Sequence, residues 1–213
     1  MILNLFPGEQ LAGDAPRGLG KQMTGGGDKV KRRPLDYYPT PPEATRALIA
    51  AERPWLRRYR TIWEPCGRGG AIARELAAQQ WATHATDLVP DPANDCAGAD
   101  LFSIKTAPHP AVVTNFPFAL ARPMICHLWG VLEVEYIAAL FKATFLNCGE
   151  SAVLEREGMG ATRRWDVTWR LDFTDQGNPT MDCVWLVWDR VDPVRHWGLL
   201  DRAGPVMPVR GLV

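Results

Sequence analysis

Apolar positions along the chain fall into short runs separated by Gly- and Pro-rich breaks, and the runs alternate between two periods. In YPTPPEATRALIAA, Ala44, Ala47 and Leu48 share one face at helical spacing. Pro41 and Pro42 suit a first turn, Thr40 a cap, and Glu43 the positive helix end. Thr61–Trp63 reads as a short strand, and AIARELAAQQ from Ala71 is a run of strong helix formers. ATHATDLV reads as a second strand ending in Asp87, and GADLF gives a third short element around Asp100. AVVTN, at 111–115, is a strand apolar on both faces. A helix is expected in ARPMICHLWGVLEVEYIAAL and a strand in ALFKATFL. TRRWDVTWRLDF and TMDCVWLVWDR are β-rich and flank the turn-like TDQGNPT. This order predicts an α/β fold with helices on both faces of a mostly parallel sheet and a C-terminal antiparallel hairpin.

The 213 residues suit a single domain with a full core. Residues 1–33 are rich in Gly and charge and are expected to form a flexible arm, 34–190 the domain, and 191–213, rich in Pro and Gly, an irregular tail. Gly18, Gly20 and Lys21 superficially suggest a phosphate loop, but the upstream glycine is missing and Gln22 stands where Ser or Thr is needed. The 24 basic and 24 acidic residues balance, so no global positive field announces a nucleic-acid partner. Arginines do cluster locally, in KVKRR, RPWLRRYR and TRRWDVTWR. The five cysteines are widely spaced with no CxxC, and His84, His109, His127 and His196 are scattered without metal-ligand spacing. With no signal peptide and no apolar run near the ~20 residues of a membrane span, the expected location is the reduced cytoplasm.

The candidate chemistry sits where strands end, since open α/β sheets bind ligands beyond the carboxyl ends of their strands. Glu64–Gly70, Asp87, Asp100 and Asn115 occupy four such ends. In EPCGRGG the glycines let backbone approach a ligand closely, and the helix from Ala71 aims its positive end there; a structural turn is the alternative. Asp87 can accept both hydroxyls of a ribose, or be a solvated loop acid. Asp100, ahead of Leu101 and Phe102, can accept from an adenine amino group, or cap a helix. In TNFPF, Asn115 and a turn carbonyl can accept both protons of an exocyclic amine, positioning its lone pair toward an electrophile. Phe118 offers a face for a flat base, and the alternative is an Asn turn with core aromatics.

The series YYPTPP, WEPCGRGGAI, ATDL, ADLF and TNFPF resembles the class I S-adenosylmethionine-dependent methyltransferases, and within them small phage- and prophage-type DNA adenine-N6 methyltransferases. The resemblance covers about residues 36–190. It implies a Rossmann-like, mostly parallel seven-stranded sheet with a terminal antiparallel hairpin. It implies a cofactor, S-adenosylmethionine, held by Tyr38, Thr40 and Pro41, by Glu64, Pro65, Cys66, Gly67 and Gly69, by Asp87 and Leu88 at the ribose, and by Asp100, Leu101 and Phe102 at the adenine. Asn115, Phe116, Pro117 and Phe118 align with the catalytic (D/N)PP(Y/F) motif. Two positions depart from the family pattern: Phe116 replaces the first proline and would bring a bulky ring into the site, and Arg68 stands where a glycine is usual.

The expected reaction is methyl transfer to adenine N6 in DNA with limited sequence specificity, and RNA and protein amines are alternative acceptors. A fold that binds but no longer catalyses is a third reading, favoured by Phe116 and Arg68. A duplex enzyme must extrude its target base and hold the strand. With no room for a large separate recognition domain, the expected reader is the segment 147–180, where basic and aromatic residues interleave and Arg156, Arg163, Arg164, Trp165 and Arg170 would contact the nucleic acid, against the alternative of an exposed hairpin with packed tryptophans.

Overall fold

Nine strands form one sheet in the computed structural model, which describes residues 38–175, 177, 179 and 181–206. In chain order they are β1 (Thr61–Glu64), β2 (Ala82–Asp87), β3 (Cys96–Gly98), β4 (Ala111–Thr114), β5 (Tyr136–Lys142), β6 (Arg163–Val167), β7 (Cys183–Asp189), β8 (His196–Asp201) and β9 (Gly204–Pro205). Across the sheet they lie in the order β3-β2-β1-β4-β5-β7-β6-β8-β9. The first five in chain order are all parallel; β7 runs antiparallel between β5 and β6. Among the described residues the α-helices are α1 (Pro42–Leu56), α2 (Ala71–Ala78), α3 (Ala121–Cys126) and α4 (Gly149–Arg156). The expected arm lies outside the described residues.

Strand parity sorts the core into two layers, because successive strand residues face opposite sides. Tyr136, Ala138 and Leu140 of β5 pack with α1 and α2, while Ile137, Ala139 and Phe141 pack with α3 and α4. Large indoles fill both layers. Three of them pair their N–H groups: Trp63 donates to Thr86 Oγ1 at 2.9 Å, Trp185 to the Ala44 carbonyl at 3.1 Å, and Trp188 to the Met159 carbonyl at 2.7 Å. Such pairing removes the penalty of burying a polar N–H.

Two expectations are corrected. The sheet has nine strands rather than seven, and the extra two, β8 and β9, lie in the stretch expected to be an irregular tail. HWGLLD is short and bounded by Pro193 and Gly204, so its local signal is weak. It becomes a strand because β6 offers a parallel partner, beginning with His196 N–H on the Thr162 carbonyl at 3.0 Å. Among the described residues no helix is long and apolar enough to cross a membrane.

Candidate functional site

From β1 the chain moves outward through β2 to β3, and from β4 it moves the other way to β5. The carboxyl ends of β1 and β4 therefore flank a topological switch point, where an open parallel sheet forms a crevice. With neighbouring strands about 4.8 Å apart, the ends of β2, β1 and β4 fall within about 10 Å of one another. Asp87, the Glu64–Gly70 turn and Asn115 are thus brought to one edge of the sheet.

The turn after β1 is specified residue by residue. Gly67 donates to the Thr86 carbonyl at 2.9 Å, and a Cβ at this position would lie 2.9 Å from the Ala85 Cβ, so any larger residue forces β1 and β2 apart. Gly69 and Gly70 sit at φ +77° and +59°, in the left-handed region, and reverse the chain into α2. Glu64 is buried, and its carboxylate accepts from Ala73 N–H at 2.9 Å, satisfying an otherwise orphaned donor in the first turn of α2. Burial pushes the Glu64 carboxyl up to about 8, the Ala73 bond only partly offsetting it. Burial likewise raises the Cys66 thiol far above its ordinary value, leaving an inert, protonated sulfur.

Asp87 closes β2 and accepts from Val89 N–H at 2.9 Å, with Arg68 N–H at 3.4 Å. Leu88 beside it is 73% exposed, a bare apolar surface on the rim. Asp100 caps the 3-10 turn Leu101–Ser103, accepting from Phe102 N–H at 3.1 Å and Ser103 Oγ at 3.0 Å. Its carboxylate thus caps this turn, as the alternative reading had it. Leu101 is buried in the α3 layer, whereas Phe102 is partly exposed, its ring edge-on to His127 at 5.6 Å.

Asn115 follows β4 immediately. Its Nδ2 donates to Thr40 Oγ1 at 3.1 Å, and its Oδ1 is buried with no hydrogen-bond partner among the described residues. Thr40 thus holds the amide instead of capping α1, whose N-cap is Pro41, and Tyr38 packs against the core beside it. Pro117 begins the 3-10 turn Phe118–Leu120. Phe118 is 37% exposed, with the Lys142 ammonium 5.2 Å from its ring centre. Phe116 is 2% exposed and tilts against Phe141 at 6.2 Å. Its ring lies in the core and does not enter the site as expected; period 2 already placed it on the face of Val112, which is the signal that finds it.

The expected nucleic-acid surface does not assemble. Arg163 is fully buried, bridging Glu52 at 2.9 Å and Asp189 at 2.8 Å. Burial alone would lower its pKa, but the hydrogen bonds it donates to Glu52 hold it above the usual arginine value. Trp165 is buried as well, donating to Glu52 Oε1 at 2.7 Å. Arg164 is engaged by Asp166 at 2.8 Å and lies over the Trp197 ring, while Arg170 pairs with Asp182 at 3.1 Å on the surface. Arg156, at the exposed end of α4, is the remaining member.

Two further residues shape the glycine turn. Asp91 accepts from Gly69 N–H at 3.0 Å and from Asn94 Nδ2 at 2.9 Å, and these bonds, Asn94 first, hold its carboxyl below the ordinary value. Arg74 reaches back to the Gly69 carbonyl at 2.6 Å and Asn94 Oδ1 at 2.9 Å. Asp91 precedes Pro92 in DPAND, a turn signal that gave no hint of its partner across the crevice.

No protein-family model matches the chain, and no curated protein matches it in sequence. Solved structures do. A candidate RNA methyltransferase of Pyrococcus horikoshii is 12% identical, with 72% of this chain and 84% of that one covered at a TM-score of 0.55. The modification subunit of a candidate type I restriction enzyme of Vibrio vulnificus is 12% identical over 82% of this chain and 48% of that one, at 0.50. A candidate class I S-adenosylmethionine-dependent methyltransferase of Listeria monocytogenes is 11% identical over 76% and 65%, at 0.51. The chain thus spans about half of the Vibrio subunit and just under two thirds of the Listeria protein. At these identities the likeness is one of fold: the chain has the Rossmann-like fold of the class I methyltransferases.

Proposed function

We propose that the chain is an S-adenosylmethionine-dependent methyltransferase acting on an exocyclic base amine of nucleic acid, adenine N6 in DNA foremost. The observation that carries this reading is Asn115: a buried amide oxygen left without a donor, fixed by Thr40 beside an exposed aromatic ring, at the switch point of a parallel sheet. An unpaired buried acceptor costs about 1–3 kcal/mol, and a substrate donor would remove that cost.

The glycine turn would hold the methionine end of the cofactor through its backbone, bordered by Asp91 on the Gly69 N–H and by Asn94 and Arg74 against Gly70. Asp87 fits its ribose, and Leu88 and Phe102 its adenine. When bound, the cofactor supplies a methyl group on a cationic sulfur. The residues of the chain do the positioning. Asn115 Oδ1 and the Phe116 carbonyl accept both N6 protons, turning the nitrogen lone pair toward the methyl, and Phe118 stacks on the base. Transfer of that methyl to the oriented nitrogen would leave a thioether and release one amine proton to water. The Pyrococcus neighbour, a candidate RNA methyltransferase, and the Vibrio neighbour, the modification subunit of a candidate restriction enzyme, are compatible with nucleic acid as acceptor.

The test is transfer of radiolabelled methyl from S-adenosylmethionine to DNA, RNA and protein in parallel, with nucleoside analysis of the products. Label recovered as N6-methyladenine from DNA, and lost with Asn115→Ala, is the expected result. Label in RNA or protein alone would reassign the acceptor. Titration of S-adenosylmethionine against the wild type and Asp87→Ala separates a binding module from an enzyme: affinity that depends on Asp87 without transfer to any polymer leaves only binding.

A further inference from the structure

We propose that the cleft where the C-terminal end of α1 meets the N-terminal ends of β1 and β2 is a phosphate-binding site. It lies at the opposite strand ends from Asp87 and Asn115, so its ligand is not the reacting base, and it stands independently of the methyl-transfer reading. The cleft holds about 750 Å³ and is lined by Arg53, Arg57, Arg60, Gln79, Gln80 and Trp81, among others, with no acidic residue in its wall.

The three arginines differ from most of their kind in this molecule. Arg46, Arg58, Arg122, Arg163, Arg164, Arg170 and Arg195 each face a carboxylate. Arg53 instead donates to the Gln79 side-chain oxygen and lies over the Trp81 ring at 5.4 Å, so its guanidinium is fixed in place without being neutralised. Arg57 and Arg60 are exposed, and among the described residues neither has an ion pair or a side-chain hydrogen bond. Three positive charges converging on one concavity without a counter-charge repel one another, and an anion relieves that repulsion. The planar forks match phosphate oxygens, and the primary amide of Gln80 adds a neutral donor at the same wall. The same chemistry serves the phosphodiesters of a nucleic-acid strand or a free oligophosphate.

The experiment uses the full chain. Binding of a fluorescein-labelled single-stranded 20-mer is followed by anisotropy, and binding of tripolyphosphate by calorimetry. The variants are Arg57→Gln/Arg60→Gln in the cleft and Arg195→Gln/Arg202→Gln elsewhere on the surface, each checked for folding by circular dichroism. Arg53 is left intact because it packs on Trp81. The cleft variant is expected to weaken at least one ligand by about tenfold or more, with the surface variant unchanged. If the strand is the ligand, its log–log salt dependence flattens by about 1.4, two phosphate contacts fewer. Loss confined to the 20-mer assigns the site to a strand; loss extending to tripolyphosphate assigns it to free oligophosphates. Equal affinity of wild type and cleft variant for both ligands, or equal losses in the two double variants, would overturn the proposal.

Discussion

Asn115 and Thr40, 75 residues apart, are joined at 3.1 Å by donation from the amide nitrogen to the hydroxyl. The bond fixes which end of the amide faces the crevice. Asn115→Ala is expected to lower kcat by about 100-fold or more while leaving cofactor affinity within a few-fold, the signature of lost positioning. Thr40→Val frees the amide to turn and should cost roughly tenfold in kcat. Steady-state methyl transfer with a parallel cofactor titration reads both; an Asn115→Ala enzyme of near-normal kcat would remove the amide from the mechanism.

Phe116→Pro restores the family's motif yet empties a core position. Its ring is packed in the layer of Ile125, Phe141 and Trp188. The substitution is expected to destabilise the fold by about 3 kcal/mol, with no gain of turnover. Urea unfolding and initial rates on one preparation decide it: a stable and faster Phe116→Pro protein would mean that the aromatic ring obstructs catalysis after all.

Glu64 makes stability pH-dependent. Its carboxyl titrates near 8 when folded, against an ordinary value of 4.5. Between those values the folded chain holds a proton that the unfolded chain has released, so stability falls as pH rises through the window and levels off on either side. Glu64→Gln keeps an acceptor for Ala73 N–H and removes this slope. Its Tm advantage over wild type should be larger at pH 8 than at pH 5. A constant difference across that range would mean that Glu64 is ionised in the folded state.

The buried group around Arg163 sets the stability of the far end of the sheet. Glu52 also accepts from Tyr136 Oη at 2.9 Å, and Asp189 accepts from Val191 and Asp192 N–H at 3.0 and 2.9 Å. Arg163→Met leaves Glu52 buried without its cation and Asp189 with Arg58 alone, and is expected to cost about 3–5 kcal/mol. Adding Glu52→Gln to that variant should recover part of the loss, since it removes one stranded charge. Denaturant titration measures both, and a loss under 1 kcal/mol in the single variant would show that water reaches the group.

The legible parts of this chain were the local ones. The glycines of 67–70, Asp87 and the NFPF junction announce turns at strand ends through residues a few positions apart, and the sheet topology gathers them. Arg163 and Trp165 read as a basic, aromatic surface because the residues that bury them are distant in sequence: Glu52 is 111 positions from Arg163 and 113 from Trp165. β8 was hidden for the same reason, its backbone bonds being supplied by β6. Asp91 carries no motif at all, and its place at Gly69 exists only once β2 and the crevice have formed.

The same distances impose an order on biosynthesis. Trp55 of α1 meets Asp192 across 137 residues, at 2.8 Å. At about 5–20 residues per second, the ribosome needs roughly 7–27 s to deliver the second partner after the first. For most of that interval, until Arg163 is made, Glu52 waits, solvated, for its cation, and the nascent α1 cannot dock in its final place. A chain stalled before β7 therefore carries an unfinished, sticky sheet margin, which makes the interval before β7 emerges the one in which this fold most depends on chaperones.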